Sequence, residues 1–273
     1  MEKRYAPMAA STASIPYEYI VCYDLETIVD QEMEDGSFPP WPRHCPVAGA
    51  FLTAQWSQDR YSFRFDTLLC REGRETEFYR KVDSLLPAGC LGVSLNGRNF
   101  DNVVLRLQAQ RHGLFDLSNI ARQAESGRFD VAHLDLMDAF GGGRGTSLAE
   151  LCGALKIPVK TSVNGSDVGE LWRAGNLAAI TAYVQEDVIA TYILHLHAAA
   201  WRAGNEKLLA LPLADLALWL EGEPRLRHLL PFATCHPALW ARSRAPALRA
   251  EAALADAELR LKQEQDEAAF AAR

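Results

Sequence analysis

The stretch YIVCYDLETI, residues 19–28, decides how the chain is read. An apolar, aromatic and β-branched run carries straight into Asp24, Leu25 and Glu26, so it reads as a buried strand that ends in acid. Side chains two apart on a strand point to the same face, so Asp24 and Glu26 converge. Charged groups at the end of a core strand are costly unless water or a cation neutralises them. The pair alone does not say which, since strands also end in acids by chance.

The totals bound the answer. The 273 residues are 49% apolar and 23% charged, the balance of a globular protein with a sizeable core. No window reads as apolar enough for long enough to span a bilayer, and MEKRYAPMAASTASIP reads as a flexible leader (1–16) without a secretory core. Cys22, Cys45, Cys70, Cys90, Cys152 and Cys235 are scattered with no CxxC pair, which suggests neither a zinc site nor a disulfide framework and fits a reducing cytoplasm. A net charge of −7 argues against a surface coated for duplex binding, yet a cluster of metal-binding acids would itself lower the total.

Outward from residue 28 the first half alternates. DQEMEDGSFPPWPRHCP is a long Pro-rich loop, and VAGAFLTAQW and RYSFRFDTLL are strands joined across SQD. ETEFYRKVDSLLP has helical spacing with Phe78, Val82, Leu85 and Leu86 on one face. GCLGVSL is a short strand, and a helix starting at about Asp101 ends at Gly113. The second half is helical. Ser147 and Glu150 match a capping box, and Asp167 and Glu170 a weaker one. A long helix then covers NLAAITAYVQEDVIATYILHLHAAAWRA. This order suggests an α/β fold, a mixed sheet flanked by helices, with a helical C-terminal extension.

Two further elements carry acids. In SLNGRNFDN a strand turns into a helix whose first turn holds Asp101, a place the helix dipole favours for any acid. In YVQED, Tyr183 and Asp187 are four apart and share a helical face. That helix is mostly apolar, so Asp187 needs a partner.

As a set, D-x-E on the first strand, Asp after a later strand and Y-x-x-x-D on a late helix resembles the tyrosine branch of the DEDD superfamily of 3′–5′ exonucleases. NGRNFDNVVLRLQAQRHG, HLDLMDAFGG, SLAELCGALKIPVK, NGSDV and YVQEDVIATYILHL follow the segment order of the predicted 3′–5′ exonucleases related to the exonuclease domain of family B DNA polymerases. The resemblance covers residues 17–203, leaving 204–273 as the extension. It departs at Val184, where Cys is expected, and at the missing Gly before the last Lys of KIPVK.

The resemblance implies a ribonuclease H-like fold and roles for the residues. Asp24, Glu26, Asp101 and Asp187 would hold two divalent cations across the scissile phosphate, with Asp24 bridging them and Asp101 acting through water. Oxygen ligands suit Mg²⁺ or Mn²⁺ rather than Zn²⁺. Tyr183 would orient the attacking water, and Thr27 and Asn99 would touch the terminal nucleotide. The implied activity is removal of nucleoside monophosphates from a single-stranded 3′ end, DNA favoured. The alternatives are an exoribonuclease trimming RNA and a silent module that binds nucleic acid.

Other features read as structural. Asp135 caps a short helix with Asp138 at its third position. His195 and His197 face different ways, and GGGRG lacks the Lys-Ser/Thr of a phosphate loop. Trp41 and His44 read as anchors of the Pro-rich loop. Residues 224–250 hold Arg225, Arg227, Arg242, Arg244 and Arg249, read as solvated surface, with strand binding beside Phe232 and Trp240 as the rival. The final helix is open to packing, self-association, a protein partner, or fraying.

Overall fold

The computed structural model describes residues 18–29, 33, 37–57, 59–128, 130–140, 146–159 and 165–271. The leader, Lys160 of KIPVK and the GGGRG segment lie outside them. Five strands form one mixed sheet in the order β3-β2-β1-β4-β5. They are β1 (Tyr19–Val29), β2 (His44–Ser57), β3 (Arg60–Leu69), β4 (Leu91–Ser94) and β5 (His133–Asp135). β1 is central, antiparallel to β2 and parallel to β4. This is the expected α/β fold, a mixed sheet flanked by helices, with a helical C-terminal part.

The helices in chain order are α1 (Glu75–Leu85), α2 (Asp101–Arg111), α3 (Ser118–Glu125), α4 (Leu136–Ala139), α5 (Leu148–Ala154), α6 (Val168–Arg173), α7 (Leu177–Ala203), α8 (Lys207–Gly222), α9 (Leu230–Ala233) and α10 (His236–Ala271). The period of two along β1 sorts them onto two faces. Val21, Tyr23 and Leu25 bury against α1, α2 and α3. Ile20 and Cys22 bury against α7 and α8. Asp24 and Glu26 continue the Ile20–Cys22 row, so they face the side on which α7 lies.

β1 and β2 lose register between Glu26 and Thr27, where the pairing jumps from Ala48 to Pro46 and leaves Val47 as a bulge. Pro46 has no N–H to give the ladder, so a bulge is where a sheet tolerates it. The ladder is interrupted just beyond Glu26 and then resumes as far as Val29 and His44.

α7 differs from expectation in one respect. Its 27 residues and a window of mean hydropathy 1.2 give it the length and apolarity to cross a membrane, the one such helix among the described residues. Its Ile180, Val184, Val188, Ile189 and Ile193 are wholly buried under the sheet, so the apolarity is that of a core helix. Asn176 caps it by accepting from Ala179 N, and Gly204 ends it at φ 60°.

The capping box of α5 is closed in both directions between Ser147 and Glu150. Asp167 stands at the N-cap of α6, but its side chain does not cap that helix. α3 and β5 carry too few residues to show a period in the sequence. α8 packs on β3 and α7, and α10 on α8, so Leu209, Leu213, Ala241 and Ala245 belong to the same core as the sheet.

Candidate active site

At the C-terminal end of β1 the fold brings Asp24, Glu26 and Asp187 together. One ligand oxygen from each lies within 4.8 Å of the others. Two come from one strand face and one from α7, 161 residues further along the chain. Glu26 is buried and the other two are half-buried. Tyr183, one turn before Asp187, presents its ring beside the same group. Burial is the main cause that pushes its phenol well above the ordinary range, and Glu26, Asp187 and Asp24 add to it. The hydroxyl stays protonated at any physiological pH, so it serves as a hydrogen-bonding group and not as a base.

Asp101 is not one of the three converging acids: it lies on the other face of β1 and meets the strand at Leu25. It opens α2, is 3% exposed, and accepts a hydrogen bond of 3.2 Å from the backbone N–H of Leu25. Burial first, with the charge of Asp135 adding, pushes its carboxyl up to about 7.

The loop that carries Asp101 is built from below. Asp135 caps α4 by accepting from Met137 N, as the sequence suggests, and also accepts from Asn96 N at 2.8 Å and Arg98 N at 3.1 Å. Arg98 ion-pairs with Asp138. A buried chain runs behind α2: Tyr23 Oη donates to Asn102 Oδ1 at 2.6 Å, and Asn102 Nδ2 donates to His133 Nδ1 at 2.7 Å. His133 Nε2 lies 2.9 Å from Ser94 Oγ and so donates to it. Burial holds His133 down at about 4, so the ring is neutral and this tautomer is fixed. Sequence patterning missed Asn102 and Ser94, because a polar residue in a short element leaves no period; His133, which with Asp135 and Asp138 looks like a second acidic site in the sequence, has the structural role read for that group.

Of the two substrate candidates, Thr27 shares a 2.7 Å hydrogen bond between its Oγ1 and His44 Nδ1. Asn99 is exposed at the loop tip, its amide donating to Asn96 Oδ1 at 3.1 Å. His44 anchors the Pro-rich loop through Nε2 and Pro39 O at 3.0 Å, and Trp41 stands at the surface of that loop.

On the α7 flank, Tyr183 and Asp187 open into a cleft of about 230 Å³ bounded by Ser147, Cys152, Val159 and Phe232. Phe232 comes from α9 in the helical C-terminal part. Three of the five arginines there are ion-paired. Arg242 pairs with Glu221, Arg244 with Glu206 and Glu251, and Arg249 with Asp215. The solvated-surface reading of this segment is the one its geometry fits.

A family profile described as "Predicted 3′-5′ exonuclease related to the exonuclease domain of PolB" matches residues 36–221. The chain belongs to this family. The matched residues include Asp101, Tyr183 and Asp187 but start after Asp24 and Glu26, which the fold alone brings to the same place. Among solved structures, the family B DNA polymerase of the hyperthermophilic archaeon Pyrobaculum calidifontis is similar, at 19% identity and a TM-score of 0.48. The similarity covers 82% of this chain and 28% of the polymerase. A search of curated proteins finds no match.

Proposed function

We propose that this chain is a metal-dependent 3′–5′ exonuclease that hydrolyses phosphodiester bonds at single-stranded 3′ ends, DNA favoured. The observation that carries the reading is the convergence of Asp24, Glu26 and Asp187 within 4.8 Å. Three carboxylates this close repel one another unless protons or cations compensate. Their donors are all hard oxygens, so the set fits Mg²⁺ or Mn²⁺ and not a thiolate-seeking metal. A pair of such cations would neutralise the scissile phosphate and raise the acidity of the attacking water.

The chain's own groups do the rest. Asp24, Glu26 and Asp187 hold the charge, and Asp101 stands ready behind Leu25 to complete the set. Tyr183, kept protonated, orients the water through its hydroxyl. The cleft toward Phe232 gives the strand a path away from the acids. In this reading residues 17–203 are the exonuclease domain, and 204–273 are an extension that helps wall the cleft.

The test uses the purified chain with Mn²⁺ or Mg²⁺ on 3′- and 5′-labelled single strands of DNA and RNA. Stepwise loss from the 3′ end, abolished by EDTA, is expected. Asp24→Ala and Asp187→Ala, each folded by circular dichroism, should lose activity by orders of magnitude. Full turnover in both variants would overturn the site, and faster cutting of RNA would move the substrate.

A further inference from the structure

Between β1 and β2 one aromatic ring stands in the open. Phe38 is 75% exposed, which is unusual for a side chain whose burial is so favourable. It is not a stray surface residue. Its ring stacks on His44 at 5.0 Å and 29° between planes. It also meets Phe100 at 5.9 Å, and Phe100 in turn meets His44 edge-on at 4.8 Å.

The support under this ring is fixed. His44 is 5% exposed and is held through one ring nitrogen by Thr27 and through the other by Pro39 O. Its carbonyl accepts from Gln108 Nε2 on α2 at 2.7 Å. So the ring that backs Phe38 is tied to the residue after Glu26 and to the helix that begins with Asp101. Phe100 precedes Asp101 directly. The aromatic cluster therefore adjoins the carboxylates on the α2 side, opposite the cleft that starts at Tyr183.

We propose that Phe38 is a substrate-binding residue on which the base of the strand's terminal nucleotide stacks. This rests on the nuclease reading above and adds the group that seats the end of the strand. An exposed ring with a rigid backing offers a π-face one base wide, and stacking accepts every base because each has a π-face. Thr27, with its hydroxyl engaged by His44, acts here as a strut and not as a direct contact. The cleft on the other flank takes the strand beyond the scissile phosphate.

The experiment measures KM and kcat of the full chain with Mn²⁺ on two single strands. One ends in an ordinary nucleotide and the other in an abasic one. For Phe38→Ala, KM should rise about tenfold on the ordinary strand, with kcat nearly unchanged. Phe38→Trp should restore it. On the abasic-ended strand, wild type and Phe38→Ala should give the same KM. An unchanged KM for Phe38→Ala on the ordinary strand, or an equal rise on both strands, would overturn the stacking. A wild-type chain that cuts neither strand would remove the nuclease reading itself, and the stacking with it.

Discussion

Asp101 accepts a hydrogen bond from the backbone N–H of Leu25, the residue that separates Asp24 from Glu26. One bond thus fastens the first turn of α2 to the strand bearing the other acids. Leu25 faces the α2 side while its neighbours face α7, so the alternation of β1 places Asp101 and Asp187 on opposite sides of the same strand end. Burial of Asp101 at this junction is the main cause of its raised pKa.

A pH dependence follows for the metal-free protein. Asp101 is raised to about 7, so between the ordinary Asp range and pH 7 the folded chain holds a proton the unfolded chain has lost. Its contribution to stability falls as pH rises through that window. His133 and His195 are held down at about 4 by burial. Their contribution is present above the ordinary His range and is lost as pH falls from there toward 4. The two effects oppose each other. Asp101→Asn removes one of them, so denaturant unfolding at several pH values should show a steeper loss toward acid than wild type, by up to about 1.4 kcal/mol per pH unit. The same variant should be more stable than wild type above pH 7. Parallel profiles would show that Asp101 ionises normally.

Tyr183→Phe keeps the ring and removes only the hydroxyl. If the hydroxyl places the water, kcat should drop on the order of 10²-fold, with melting temperature and Mn²⁺ affinity close to wild type. Isothermal titration and initial rates decide it. A fully active variant would make the residue a packing group.

The strand-end acids were legible because a period of two and a period of four each put a pair of side chains on one face. The fold was legible for the same reason in β1, β2, β3, α1 and α7. Asp101 alone could be read as a helix-dipole acid, and only its set with the others gave it meaning. What the sequence did not show was support: Asp135 holding the Asn96 and Arg98 amides, or Asn102 meeting His133, join residues more than 30 apart through single polar contacts. The arginine-rich segment looked bare because its acids, Glu206, Asp215 and Glu221, lie in an earlier helix or at its edge.

Those pairings change what arginine variants should do. Arg242→Ala with Arg244→Ala removes exposed ion pairs worth about 0–1 kcal/mol each, so a small drop in melting temperature and an unchanged KM are expected. Asp215 is different. It is 6% exposed and accepts from Tyr61 N, Arg60 and Arg249, tying β3 and α10 to α8. Asp215→Ala leaves the Tyr61 N–H and a half-buried Arg249 without their acceptor. It should cost about 3 kcal/mol by denaturant unfolding. A KM rise in the arginine double variant would restore the segment as a strand contact.

Gly97 is the tightest point behind the site. A Cβ there would lie 2.1 Å from Ser94 Oγ, 2.8 Å from Ser94 Cβ and 3.4 Å from Asp101 Oδ2. Ser94 is wholly buried and bonded to His133, so it cannot step aside without breaking that bond. The loop must move instead, and Asp101 moves with it. Gly97→Ala should therefore cost about 1–3 kcal/mol of stability. It should also lower kcat when measured below the new melting temperature, since a shift of about 1 Å in a positioning group can cost 10²-fold. Gly127→Ala is the control, because a Cβ there meets nothing within 4 Å. A fully stable and active Gly97→Ala would mean that the Ser94–His133–Asn102 chain yields freely and does not set the position of Asp101.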